Sequence, residues 1–375
     1  MNQDIEFNVN QAISWFLNSG IQNKNGGVFS WYNTQTKKYD FYYSEITGYA
    51  ITMFLYLYKI TNDKVFLIKA KKGADWIINF AINNNGSIST RRYLEKPNKI
   101  FSFEGKNIFI FDNAMVLIGL CYLFKETKNK KYFNFAIKIG EFIRKTFFKN
   151  NNIIQPVYNI NNNKFISNES KWSFQKGSFL NKIAIGFFEL KEITNNYYYN
   201  DLAIKICKQS FKYLNNEKLY ITNTKKNLIE IHPLCYSIEG LFFIGKNNNI
   251  KEFINISKYL SNWILDLYIK NGEILESFDP INKKFSNIER SDIYGQLLRL
   301  SLLCKLSNKN ITNNLINKII SYQLIDLKNK QNGGFFYDTS KNFINSWSTM
   351  FNLQSMLMVL YKDSIKNNNK LELII

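Results

Sequence analysis

The chain of 375 residues carries one histidine, His232, and four cysteines, Cys121, Cys207, Cys235 and Cys304. A lone histidine leaves no Asp/Cys/His zinc set. The cysteines stand singly with no Cys-x-x-Cys pair, so they read as buried free thiols of a reducing compartment. No metal site and no cofactor is expected. No Gly-Lys-Ser/Thr follows the glycine turns and none reads Gly-x-Gly-x-x-Gly, which excludes the common phosphate loops. No run of about 18 apolar residues is present to span a membrane. The segment Met1–Glu6 has neither the basic nor the apolar part of a secretory signal. A cytoplasmic protein without a membrane partner is expected. No Pro/Gly/Ser-rich linker divides the chain, so residues 1–375 are read as one domain, its tail from about residue 363 loosely attached. No dense basic arm appears either, although 49 Lys+Arg against 29 Asp+Glu give +20. Lysines are scattered together with Asn and Ile, as in proteins from AT-rich genomes. The charge is therefore read as compositional, with no nucleic-acid partner.

What the chain does have is helical hairpins. Phe111 to Phe124 is apolar nearly all round, the mark of a buried helix, with Asp112 at its start, where a side-chain oxygen can cap free N–H groups. After a polar break, Tyr132, Phe133, Ala136, Ile139 and Phe142/Ile143 recur at helical spacing with Lys and Glu between them, the mark of a half-buried helix. The same pair stands 66 residues earlier, from Glu45 and from Phe66 (132 − 66 = 66). Further inner-helix starts lie near Ser178, Pro233, Ser291 and Asn345. A long fixed period means stacked supersecondary units, here six inner helices in an all-α fold.

Links from inner to outer helix are short, as between antiparallel neighbours, while the return links are long. All the long loops then gather at the end where inner helices begin. They carry Trp31, Tyr42, Tyr43, Tyr93, Phe101, Tyr158, Trp172 and Phe278, residues suited to lining a pocket, and the positive ends of six helices point there.

The alternating helices, the Asn-Gly-Gly-Val-Phe and Asn-Gly-Gly-Phe-Phe turns, and the Phe-Asp-Asn helix start resemble the (α/α)6 toroid of the six-hairpin glycosidase-like superfamily. That group includes unsaturated glucuronyl hydrolases, N-acylglucosamine 2-epimerases and uronate epimerases. The resemblance implies a carbohydrate substrate and acid/base chemistry, hydrolysis or epimerisation. It also implies that Asp112 matches the aspartate that is catalytic at an inner-helix entrance of the glucuronyl hydrolases. The toroid of terpenoid cyclases and prenyltransferases is a further likeness, but the chain lacks an Asp-x-Asp-Asp motif and a zinc set. A non-catalytic glycan-binding or scaffolding toroid is the other alternative.

Candidate catalytic groups stand at or near inner-helix starts. Glu45 and Asp112 are read as equivalent positions of neighbouring repeats that would meet at the mouth, where paired carboxyls of unlike pKa serve acid/base attack. Each can instead be a plain helix-terminal acid. His232 is a candidate lone base or a structural histidine, and the sugar 2-epimerases need two. Glu239 follows two turns on, costly in an apolar helix unless partnered or facing a polar lumen. In Glu289-Arg290-Ser291-Asp292, Arg290 either pairs with Asp292 or grips a substrate carboxylate, leaving Asp292 as a further acid. Trp31, Tyr43, Trp172, Tyr236 and Trp347 complete the candidate sugar-binding set.

Overall fold

The computed structural model describes residues 2–95, 99–166, 170–361 and 374–375. Twelve α-helices are present there: α1 (Asn2–Asn18), α2 (Ser44–Thr61), α3 (Lys64–Trp76), α4 (Ile110–Thr127), α5 (Lys130–Phe147), α6 (Ile183–Thr194), α7 (Tyr197–Ser210), α8 (Ile231–Asn247), α9 (Lys251–Asn271), α10 (Ser291–Leu303), α11 (Lys309–Ile320) and α12 (Ser346–Leu360). The even-numbered helices form an inner ring in which each packs on the next and α12 packs back on α2. The odd-numbered helices lie outside. Composition explains the division. In α4 every residue from Ile110 to Leu123 is buried, whereas α5 buries one stripe that includes Tyr132, Ala136, Ile139 and Ile143.

The short turns repeat one device. Thr61, Thr127 and Thr194 each donate their hydroxyl to the carbonyl four residues back. Asn62, Lys128 and Asn195 then adopt left-handed backbone, and Asp63, Asn129 and Asn196 cap the outer helix through their side chains. Two residues thus close one helix and open the next. In the glycine turns, Gly333 has φ +91° and a Cβ there would stand 2.0 Å from the Gln11 carbonyl of α1, so only glycine fits. Within the ring, Gly240 lets α8 approach the Asn181 carbonyl, where a Cβ would stand at 2.1 Å.

Short strands zip the long links together: Trp31–Asn33 pairs with Phe343–Asn345, joining first and last repeats, and Phe41–Tyr43 pairs with Arg91–Tyr93. In α1, Ile5, Val9, Ala12 and Phe16 make the buried stripe. Past the end of α11 at Ile320, Gln323 turns back to bond the carbonyls of Asn8 and Gly333. Of the tail, residues 362–373 lie outside the described residues; Ile374 and Ile375 are buried.

Candidate active site

A cavity of about 420 Å³ opens at the mouth where the inner helices begin. Its wall includes Glu45, Asp112, His232, Tyr43, Trp172, Tyr236, Arg290 and Trp347, eight of the residues singled out by sequence. Glu239, Asp292 and Trp31 are not among the lining residues.

Glu45 is the second residue of α2 and Asp112 the third of α4, so the two are one position out of register rather than equivalent. Neither caps its helix. Tyr43 and Phe109 hold the N-cap positions without side-chain bonds. Asp112 instead accepts a hydrogen bond from the Thr90 hydroxyl, and the next residue holds that loop. Asn113 accepts from the Ile88 N–H at 2.8 Å and donates to the Ile88 carbonyl at 3.2 Å. The Ser44 N–H at the start of α2 bonds the Thr90 carbonyl. One loop therefore ties α2 to α4 and brings their carboxyls together.

Glu45 and Asp112 stand beside each other, near enough for each to shift the other's carboxyl, and Tyr43 neighbours Glu45. Burial, then the neighbouring Asp112 charge, pushes the Glu45 carboxyl well above the usual range. Burial also raises Asp112, against hydrogen bonds from Thr90 and the nearby Arg91 charge, to about 6. Two neighbouring carboxyls in a desolvated site cannot both ionise cheaply, so the charge on one holds back the ionisation of the other.

His232 sits beside Tyr236, ring centroids 4.4 Å apart. Its Nδ1 lies 2.8 Å from Gln296 Oε1 and 3.3 Å from Asp292 Oδ2, two acceptors that favour the proton on Nδ1 and leave Nε2 as a bare lone pair. Burial lowers its pKa to about 4. Asp292 is held below the usual carboxylate range despite burial, because Arg290 and His232 face it and Trp347 Nε1 donates to it at 3.1 Å. Arg290 forks onto Asp292 at 3.1 and 2.6 Å and reaches Glu276 at 2.9 Å. Its guanidinium is thus committed to an internal ion pair, and Asp292 orients the site from behind.

Glu239 is fully buried between Lys182 and Arg299. Burial would raise its carboxyl, but the two cations outweigh it and hold it below the usual range. Trp31 packs behind the wall against Trp347 and Phe41. Thr90, Arg91, Lys171, Lys226 and Glu230 also line the cavity and were not singled out by sequence. Arg91 carried a signal, for it stands in an Arg-Arg-Tyr strand opposite Phe-Tyr-Tyr, but only the strand register shows which arginine turns inward.

Comparison with known proteins adds three findings. Residues 8–166, less than half of the chain, match the model of glycosyl hydrolase family 76. That stretch contains Glu45, Thr90, Arg91 and Asp112 and ends before His232. Cellobiose 2-epimerase from Bacillus thermoamylovorans superposes with a TM-score of 0.72 at 11% identity, over 95% of this chain and 100% of that one. Unsaturated glucuronyl hydrolase from Bacillus sp. GL1 superposes with a TM-score of 0.67 at 11% identity, over 96% and 97%. The fold is the six-hairpin (α/α)6 toroid. At these identities the likeness speaks for the toroid and not for one reaction. A curated protein, the chromosomal replication initiator protein DnaA of Ureaplasma parvum, is 26% identical over 304 residues, 74% of this chain. The chain spans about three-fifths of that relative, 61% of its length. Among the described residues, no helix of the toroid is long and apolar enough to cross a membrane.

Proposed function

We propose that this toroid is an enzyme that takes a sugar unit into the mouth cavity and acts on it by proton transfer from the Glu45–Asp112 dyad. The observation that carries the reading is the dyad itself: two buried carboxyls beside each other, both raised, in a cavity walled by Trp172, Tyr236 and Trp347. The family 76 match over the same stretch and the toroid neighbours that act on sugars support a carbohydrate substrate. The missing Asp-x-Asp-Asp motif and zinc set argue against a terpenoid cyclase or prenyltransferase.

The geometry narrows the chemistry. Glu45 and Asp112 shift each other's carboxyls, so they work as one unit. The protonated member donates to the substrate oxygen or carbon, and its ionised neighbour stabilises the positive charge that develops. The second proton-transfer group is His232, whose Nε2 is free to take a proton from water or from a sugar carbon. Hydrolysis and epimerisation both use such a pair. Asp112→Asn and Glu45→Gln are each expected to abolish turnover of the active member of a glycoside and uronide panel with the melting temperature within a few degrees of the parent. Activity above a tenth of the parent in both variants would remove the dyad from the reaction.

A further inference from the structure

Arg91 lines the cavity set among rings, with no carboxylate bonded to it among the described residues. Its guanidinium lies over three rings, 4.8 Å from the centroid of Phe41, 4.5 Å from Tyr43 and 4.3 Å from Phe101. Its Nη2 donates to the Tyr43 phenol at 3.3 Å. Its Nε is buried and has no acceptor. Arg290, in the same wall, shows what a satisfied guanidinium looks like here, forked on one carboxylate and touching a second. Lys171 shares a ring with Arg91, its Nζ 5.2 Å from the Phe101 centroid, and Lys226 borders the same cavity. Among the described residues none of these three cations forms an ion pair, and none has an interaction left unstated. Glu230, near Lys226, is raised by burial and is held by Asn223 at 2.7 Å. A planar guanidinium with no carboxylate bonded to it, backed by two rim lysines, is the arrangement that binds a carboxylate or a phosphate.

We propose that the substrate is an anionic sugar whose carboxylate or phosphate seats on Arg91, with Lys171 and Lys226 closing on it from the rim. The inference rests on the carbohydrate reading above and adds the substrate's charge. An anion seated there also makes the adjoining dyad harder to ionise, so the bound substrate keeps the proton in place for transfer.

The test is calorimetric titration of the full chain with glucose, mannose and galactose, each beside its C6 uronate and its 6-phosphate, with inorganic phosphate alone as a further probe. In at least one configuration an acidic sugar is expected to bind tenfold or more tighter than its neutral parent, and whether uronate or phosphate wins tells the two anions apart. That preference should fall below threefold in Arg91→Gln, and Lys171→Gln, a rim change that leaves the packed rings intact, should weaken it severalfold. Neutral sugars binding as tightly as acidic ones, or a preference that survives both variants, overturns the inference and leaves the carbohydrate reading standing. Inorganic phosphate binding with no sugar bound more tightly overturns both.

Discussion

Asp112 stands at a helix start, where the sequence allows either a site acid or a plain cap; Phe109 holds the cap position and Asp112 turns to Thr90 and Glu45. Capping lowers a carboxyl pKa; burial beside another acid raises it. The consequence for stability has a definite sign. Folded Asp112 keeps its proton to about 6, while an unfolded aspartate loses it near 3.8. Between those values the native state binds more protons, so this group makes stability fall as pH rises from about 4 to 6, by on the order of 3 kcal/mol. His232 acts oppositely, raising stability as pH rises from about 4 to 6.5, because it folds unprotonated. The difference between parent and Asp112→Asn in denaturant melts isolates the aspartate. Asn should gain relative stability across pH 4 to 6, and parallel curves would show an unperturbed carboxyl. Catalysis gives the matching prediction: kcat/KM should rise with an apparent pKa near 6 as the dyad loses its first proton. Glu239 behaves differently. The sequence flagged it as needing a partner or a polar lumen, and it has two partners, Lys182 and Arg299. Glu239→Gln takes the buried carboxylate from both cations, leaving Lys182 the Ile375 oxygen at 2.8 Å and Arg299 the Gln354 oxygen at 2.7 Å, and is expected to cost about 3 kcal/mol. Denaturant melts unchanged within about 1 kcal/mol would refute that.

At the scale of elements, the helices were readable because their periodicity is a property of the chain. The outer helices align without a gap at 66 residues, and both α3 and α5 begin where that spacing puts them. The short Thr-x-Asp/Asn turns were visible too, since each uses side chains close in sequence. The strands of the long links were not visible. Pairs two or three residues long owe their existence to partners up to some 300 positions away, as between Trp31 and Asn345, and nothing local specifies them. That is why Arg91 was missed while Tyr43, its register partner, was found. The inner ring's tight spacing makes a prediction. A methyl added at Gly240 meets the backbone of Asn181, which cannot swing aside as a side-chain tip can. Gly240→Ala should cost about 3 kcal/mol or more, read as a large fall in melting temperature. A shift of only a degree or two would mean that α8 and the Ser178–Lys182 turn slide apart freely.

For the whole molecule, closure of the ring turns scattered sequence positions into one site. Glu45, Asp112, His232 and Trp347 come from four different inner helices and share one cavity because those helices start at the same end. The +20 charge belongs to this scale as well. If it is compositional, binding to duplex DNA should be weak and vanish by moderate salt. Tight binding at physiological salt would overturn the compositional reading of the charge. The measurement that bears most directly on the account follows a panel of glycosides and uronides by mass spectrometry in ¹⁸O-water and in D₂O, with the parent protein and with Asp112→Asn. The account predicts that the parent places ¹⁸O at a sugar carbon, for hydrolysis, or deuterium at C2, for epimerisation, and that Asp112→Asn does neither. A panel left unlabelled by the folded parent, or label incorporated equally by the variant, would contradict it.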